Sequence, residues 1–189
     1  MTNSRITLAV FVLLLIYSCS QSPANLFERD YADLNNAKTS IESFKDNTHT
    51  IFVAFANDCP VCKASIPTLR KINEQFPDVG VVLFYPANQR DSSINAFIAS
   101  LLPSSTVCVK DKNKFLTKKL GATVTPHAFI ADSEGSVVYR GAINNGVFTN
   151  YRKNYAQRES FLLNALDTLI HLEKKLIKHE TKVVGCYIE

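Results

Sequence analysis

The chain has 189 residues, a hydrophobic fraction of 46% and a charged fraction of 20%, a composition typical of one ordinary globular domain. Its formal net charge of +4 is too small and too dispersed to indicate a nucleic-acid-binding surface. The lysines between residues 110 and 119 have the spacing of a solvated helix face rather than a phosphate-binding patch. We therefore expect no nucleic-acid partner.

The first 18 residues have the pattern of a secretory signal peptide. Arg5 gives a short positive region, and residues 6–17 are almost entirely apolar. An apolar helix of this length, at about 1.5 Å per residue, is too short to cross a hydrocarbon core of about 30 Å. A signal peptide over 1–18 is therefore a better interpretation than a transmembrane anchor.

The signal peptide ends in a motif with a cysteine. Residues 16–19, Ile-Tyr-Ser-Cys, resemble a bacterial lipoprotein box, although Tyr17 stands where a small residue is usual. The resemblance implies that Cys19 is lipidated and becomes the first residue of the mature protein. Plain cleavage near Ser18 is the alternative. Either way the mature chain works outside the cytosol, where disulfides can persist, and residues 19–25 form a polar tether.

The first half of the mature chain alternates helical and strand patterns. Residues 26–45 carry apolar side chains at helical spacing and are predicted to form a helix. The continuous apolar runs over 51–55 and 79–86 predict strands that are buried on both faces. Between them, residues 65–76 have helical periodicity, and a further helix is predicted over 91–101.

The second half contains a hairpin pattern and ends in an amphipathic helix. The predicted elements are a strand over 105–110, a short helix over 113–120 that ends at Gly121, hairpin strands over 127–131 and 137–140, and a helix over 159–178. Helices that alternate with strands indicate an α/β fold with a mixed sheet. We expect one domain over 26–178, followed by an ordered tail over 179–189.

Cys59 and Cys62 form a Cys-Pro-Val-Cys motif directly after the first predicted strand. A disulfide between them would close a very small loop and remove little entropy from the unfolded chain. Structural zinc usually takes four ligands in two spaced pairs. Neither the histidines nor Cys108 and Cys186, which are remote from each other, supply a second pair. We therefore expect no metal site.

A reversible redox couple explains the whole motif. Cys59 would be the N-cap of the following helix, with its sulfur exposed, and Pro60 suits the first helical position. The unpaired amides and the positive end of the helix favour the Cys59 thiolate, and Lys63 would add to this effect. Cys62, one turn further on, is placed to attack a mixed disulfide on Cys59 and release the substrate.

The Cys-Pro-Val-Cys motif after a strand, Pro67 in the helix and Val-Thr-Pro at 124–126 before a hairpin resemble the thioredoxin superfamily. Over roughly residues 40–175 the chain resembles the exported redoxin or TlpA-like thiol–disulfide oxidoreductases. The resemblance implies a thioredoxin-like fold, in which helices flank a central mixed β-sheet and an extra strand–helix insertion precedes a cis-proline. That proline would be Pro126, which with Thr125 would bind the incoming peptide.

The resemblance also implies the function. We expect a thiol–disulfide oxidoreductase of the cell envelope that uses no cofactor and acts on disulfide-containing exported proteins. A membrane or periplasmic partner would donate the electrons, and a lipid on Cys19 would anchor the chain on the periplasmic side of a membrane. The family's tryptophan and buried carboxylate are replaced by Asp58 and Val53, so the group that takes the proton of Cys62 stays open.

Three other residues have open roles. His127 either lies near Cys59 and tunes its pKa or is an ordinary strand histidine that faces solvent or a loop. Cys108 is interpreted as a buried structural thiol. Cys186 is a third thiol that relays electrons, a metal ligand or a free cysteine in the tail.

Two other functions are alternatives to a thiol–disulfide oxidoreductase. A peroxidase of the peroxiredoxin type needs a threonine three residues before its reactive cysteine and a proline seven before it, where this chain has Ala56 and Phe52. A copper-binding module of the Sco type would use Cys59, Cys62 and a histidine. That family spaces its cysteines one residue wider, and His127 is a loose substitute for its histidine. We therefore favour the oxidoreductase.

Overall fold

The computed structural model describes residues 25–86, 102, 106–146, 159–172 and 179–189. The predicted signal peptide, Cys19, most of the tether and the helix over 91–101 lie outside these residues. Within the described ranges, no helix is both long and apolar enough to span a membrane.

The described residues form ten strands and three α-helices. In chain order these are β1 (Asp30–Ala32), β2 (Lys38–Ser40), β3 (His49–Ala54), α1 (Pro60–Gln75), β4 (Gly80–Tyr85), β5 (Thr106–Lys110), α2 (Phe115–Leu120), β6 (Val124–Thr125), β7 (His127–Asp132), β8 (Val137–Gly141), α3 (Phe161–Ile170), β9 (His179–Glu180) and β10 (Cys186–Tyr187).

Eight of the strands form one mixed sheet in the order β2-β1-β5-β4-β3-β7-β8-β9. Strands β3, β4 and β5 are parallel, and β7 and β8 continue the sheet in antiparallel pairing. Parallel neighbours need a crossover connection, which α1 supplies between β3 and β4. Strands β6 and β10 pair separately as a two-stranded antiparallel sheet.

The sheet is buried on both faces, as the continuous apolar runs predicted. Along β3, Ile51 and Val53 point into one core cluster, while Phe52 and Ala54 point into the other. The first core also contains Cys59 and Cys62 together with apolar residues of α1 and α3. The second core is closed by the N-terminal segment and α2. The candidate redox pair therefore belongs to the first of two separate cores.

The helix predicted over 26–45 is wrong. The segment forms the β1–β2 hairpin and a short 3-10 helix at Glu42–Asp46. The Asp33 carboxylate accepts hydrogen bonds from the amides of Asn35 and Ala37, each at 2.8 Å, and Asn36 has a positive φ of 67°. This turn breaks the helix, while the apolar residues of the segment still reach the second core.

Most of the other predicted elements are confirmed. The strands over 51–55, 79–86 and 105–110, the helix after the cysteine motif and the hairpin at 127–140 all form. Helix α2 begins later than predicted because Asn113 and Lys114 have positive φ angles, and it ends at Gly121 with φ 72°. Helix α3 ends at Ile170, and residues 173–178 of its predicted range lie outside the described part. Strand β5 and helix α2 lie between β4 and Pro126, in the stretch where the strand–helix insertion is expected.

A candidate redox-active site

The end of β3 and the start of α1 position the two cysteines. The chain leaves the sheet after Ala54, and Cys59 is the N-cap of α1 with Pro60 in its first turn. The amide of Cys59 donates to the Ala56 carbonyl at 3.3 Å, and the amide of Lys63 donates to the Cys59 carbonyl at 3.2 Å. These bonds form the first helical turn as predicted and bring Cys62 alongside Cys59.

The pKa values of the two thiols are shifted in opposite directions. The pKa of Cys59 is lowered from 9.0 to about 4, mainly because the Cys62 thiol donates a hydrogen bond to its sulfur; burial opposes this shift, and a bond with Cys186 adds to it. The pKa of Cys62 is strongly raised, first by burial and then by the same bond to Cys59. Cys59 is therefore the more acidic thiol of the pair, and Cys62 is held in its protonated form.

The loop before β7 faces both sulfurs. The Thr125–Pro126 peptide bond is cis, as the resemblance implies. The Sγ atom of Cys59 lies 3.1 Å from the Thr125 carbonyl oxygen, and the Thr125 side chain makes a hydrogen bond with Cys62. The amide of Ala56 also donates to Cys62 Sγ at 3.4 Å. The Thr125 hydroxyl is therefore a side-chain hydrogen-bond partner of Cys62, whereas position 53 carries a valine.

Cys59 was predicted to expose its sulfur, and this is wrong. Only 1% of the residue is exposed, and Cys62 is fully buried. The Cys59 sulfur is enclosed because it contacts Cys62 in the same turn, the Thr125 carbonyl and Cys186 in the last strand. The helix position was predictable from the motif, whereas the last of these contacts comes from a residue remote in sequence.

The two predicted modulators have different surroundings. Lys63 is exposed in the first turn of α1, and hydrogen bonds rather than its ammonium group account for the low pKa of Cys59. His127 is only 4% exposed, so the alternative in which this strand histidine faces solvent is wrong. Its ring stacks on Phe129 at 4.4 Å, on the second-core face of the sheet, and burial with the charge of Arg140 lowers its pKa to about 4. The structure therefore does not bring His127 to Cys59.

The two remaining cysteines of the described part lie in different places. Cys108, in β5, is half-buried rather than buried, and burial raises its pKa to about 11. Cys186, in β10, is largely exposed and makes a hydrogen bond with Cys59. Partial desolvation and that bond raise the pKa of Cys186 to about 11. Sequence reasoning anticipated an ordered tail but missed that it reaches the cysteine pair.

A pocket of about 260 Å³ opens beside the thiols. Its walls include Asp58, Pro86, Thr125 and the last strand from Cys186 to Ile188. Among the residues that the structure describes, no three histidine, cysteine, aspartate or glutamate side chains are grouped as metal ligands. A pocket of this volume is large enough for one side chain.

We predict that the Cys59 thiolate survives in mildly acidic solution. Its folded pKa of about 4 lies below the ordinary value of 9.0, so the thiolate absorbance in the ultraviolet should fall only as the pH approaches 4. The depressed pKa also means that ionised Cys59 stabilises the reduced fold fully above about pH 9, and that this contribution is lost as the pH falls towards 4. The difference between wild type and Cys59→Ser isolates this titration, and a midpoint near that of a free thiol would contradict it.

The fold and the site define a thioredoxin-like redox protein. The chain belongs to the Redoxin family, whose model matches residues 20–155.

Solved structures share its fold at low sequence identity. An uncharacterized conserved protein from Geobacillus kaustophilus is 18% identical over 90% of this chain and 93% of its own, with a TM-score of 0.66. A hypothetical protein from Sinorhizobium meliloti 1021 is 19% identical over 85% and 89%, with a TM-score of 0.61. A thioredoxin-like protein from Aeropyrum pernix is 17% identical over 73% and 90%, with a TM-score of 0.50. No curated protein matches the chain.

Proposed function

We propose that the protein is a thiol–disulfide oxidoreductase of the cell envelope in which Cys59 attacks substrate disulfides and Cys62 resolves the intermediate. The observation that carries this proposal is the meeting of three groups at one point: the Cys59 sulfur, the Cys62 thiol and the Thr125 carbonyl 3.1 Å from Cys59. Disulfide exchange with release of the substrate uses a nucleophilic thiolate and a resolving thiol, and a main-chain carbonyl can accept a hydrogen bond from a bound peptide backbone.

The first half of the reaction uses the low pKa of Cys59. Its thiolate attacks one sulfur of the substrate disulfide, a bond forms between Cys59 and that sulfur, and the other substrate sulfur leaves with the electron pair and takes a proton. The Cys62 bond and the positive end of α1 keep Cys59 ionised near neutral pH. The main-chain groups of Thr125, which pair with Cys186 in this structure, would align an extended substrate peptide beside the attacking sulfur once that pairing opens.

The second half uses Cys62. Its proton must leave before it can attack, and the Thr125 hydroxyl is the side chain bonded to it besides Cys59. The Cys62 thiolate then attacks Cys59 Sγ, the Cys59–Cys62 disulfide forms, and the substrate leaves as a thiol. The substrate is thereby reduced by two electrons and the cysteine pair is oxidised, so a dithiol reductant must return the pair to its reduced state.

The location and partners in this proposal rest on the sequence. A signal peptide over 1–18 and a lipid on Cys19 would hold the domain on the periplasmic side of a membrane. The substrates would be disulfide-containing exported proteins, and a membrane or periplasmic protein would supply electrons. Neither alternative function gains support. Ala56 and Phe52 stand where a peroxidase needs a threonine and a proline. His127 lies on the second-core face of the sheet, whereas the two cysteines belong to the first core.

The experiment that tests the proposal traps the intermediate. Cys62→Ser removes the resolving thiol, so reaction with oxidised glutathione or insulin should leave substrate attached to Cys59. Acid quenching at short reaction times, followed by peptide mapping under non-reducing conditions, locates the mixed disulfide. We expect it on the peptide that contains Cys59.

The matched control is Cys59→Ser, which keeps Cys62 and should form no adduct at either position, because Cys62 is buried and its pKa is raised. An adduct on Cys62 in this control, or none on Cys59 in Cys62→Ser, would overturn the assignment of the two roles.

A further inference from the structure

The last strand lies against the loop that would bind a substrate peptide. Strand β10 pairs antiparallel with β6, with Cys186 opposite Thr125 and Tyr187 opposite Val124. The amide of Ile188 donates to the Thr123 carbonyl at 3.2 Å, and Ile188 packs against the second core. The segment 185–188, which we call the tail strand, thus occupies the backbone positions at which an extended peptide would be added.

Gly185 allows this close approach. A Cβ atom at Gly185 would overlap the Thr125 carbonyl oxygen and lie 2.7 Å from the Thr125 carbonyl carbon, too close for the two backbone segments to pack. Only a residue without a side chain fits over this peptide bond. A second attachment precedes it, because the Thr181 hydroxyl accepts from the amide of Ala142 at 2.9 Å. The tail is therefore held at two places, with the cysteine directly after the closer contact.

The pairing brings a third thiol to the candidate redox pair. Cys186 shares a hydrogen bond with Cys59, and Cys59 Sγ is 3.1 Å from the carbonyl of the residue that Cys186 pairs with. Cys59 is 1% exposed and Cys62 is fully buried, whereas Cys186 is exposed. Cys186 is therefore the most accessible from solvent of the three thiols.

We propose that Cys186 is a third redox thiol, which the tail strand presents to Cys59 in the manner of a built-in substrate, and that it forms a disulfide with Cys59. The proposal rests on the proposed function, since it uses the same nucleophile. It gives the chain an exchange partner for Cys59 that is accessible from solvent, and it assigns the peptide-binding surface at Thr125 to the chain's own tail until a substrate displaces it.

The exchange steps balance without a further oxidant. In the oxidised protein, the Cys186 thiolate attacks Cys59 Sγ of the Cys59–Cys62 disulfide. The Cys59–Cys186 bond forms, the Cys59–Cys62 bond breaks, and the Cys62 sulfur takes the electron pair and a proton. A dithiol reductant then attacks the exposed sulfur of Cys186, and Cys59 leaves as a thiolate. The second thiol of the reductant releases Cys186, so that all three thiols are reduced and the reductant becomes a disulfide.

The test follows the fate of the trapped intermediate in the full chain. In Cys62→Ser, the mixed disulfide of Cys59 with glutathione should disappear with time, because Cys186 attacks Cys59 and releases glutathione. Non-reducing peptide mapping should then show the peptides of Cys59 and Cys186 joined. In the double variant Cys62→Ser/Cys186→Ser, the mixed disulfide should persist and the joined peptides should be absent.

Two matched variants test the role of the tail strand in the Cys62→Ser background. Gly185→Val places a side chain against the Thr125 carbonyl and should abolish the joined peptides while leaving the glutathione adduct intact. Lys182→Ala, an exposed position in the same tail, should leave their yield unchanged. Circular dichroism checks that each variant is folded.

The outcomes separate the inference from the proposed function. A glutathione adduct on Cys59 that is equally long-lived with and without Cys186 would overturn the inference and leave the proposed function standing. The absence of any glutathione adduct on Cys59 in Cys62→Ser/Cys186→Ser, where neither of these thiols can release it, would overturn the proposed function. Joined peptides in equal yield in Gly185→Val would overturn the role of the tail strand.

Discussion

The Cys59→Ser variant is expected to lose disulfide-reducing activity down to the rate of the reductant alone. A serine hydroxyl is not ionised near neutral pH and cannot form a bond to sulfur in a disulfide exchange, so the first step has no nucleophile. The buried Cys62 does not replace it, because its pKa is raised and its thiol lies beneath the position of Cys59. The rate of insulin reduction in the presence of a dithiol, monitored as turbidity, measures the loss.

The matched control for this loss is Cys108→Ser. Cys108 lies in β5, half-buried beside Tyr85, so the variant should retain the wild-type rate if it is folded. Appreciable turnover by Cys59→Ser would contradict the proposed mechanism, because every step of it passes through this sulfur.

The part of the site that the sequence predicted is the part made by local interactions. Strand β3, the N-cap position of Cys59 and helix α1 follow from one continuous stretch, in which a buried apolar run is followed by Pro60 and helical periodicity. The approach of Thr125 to the cysteines is a long-range contact, and it was expected only through the resemblance to a known family. Spacing alone would not have placed Thr125 there.

The N-terminal error has a local cause. Apolar residues in 26–45 recur at intervals that fit one helix face, and several of them do point into the second core. The same residues reach that core from a hairpin because Asp33 and Asn36 form a tight turn between β1 and β2. Periodicity reports which side chains are buried, whereas the turn residues decide the backbone that buries them.

The burial of Cys59 could not be predicted, because it depends on a strand of two residues. Cys186 and Tyr187 pair with β6 more than 60 positions earlier in the chain. Gly185 was the available signal, since a glycine before an apolar run can mark a close approach of two backbones. It does not identify the backbone that is approached, which only the folded chain supplies.

The Phe52→Ala variant is expected to lower the free energy of unfolding by about 3–5 kcal/mol, the usual cost of removing a large aromatic side chain from a packed core. Phe52 is fully buried in the middle of β3, and its ring centroid lies 5.9 Å from that of Phe27 in the second core. Urea denaturation of the reduced protein measures the change. Phe44→Ala, the same truncation at a half-buried position beside this core, is the matched control and should cost less.

The same variant separates stability from chemistry. Phe52 points away from the cysteines, which belong to the other core, so the molecules that remain folded should keep the low pKa of Cys59. The Phe52 side chain packs in the second core, which α2 and the N-terminal segment close. A Cys59 titration unchanged in Phe52→Ala, beside a large loss of stability, would show that the two faces of the sheet carry separate tasks. A Cys59 midpoint that rises with the loss of Phe52 would instead mean that the second core holds the redox site in place.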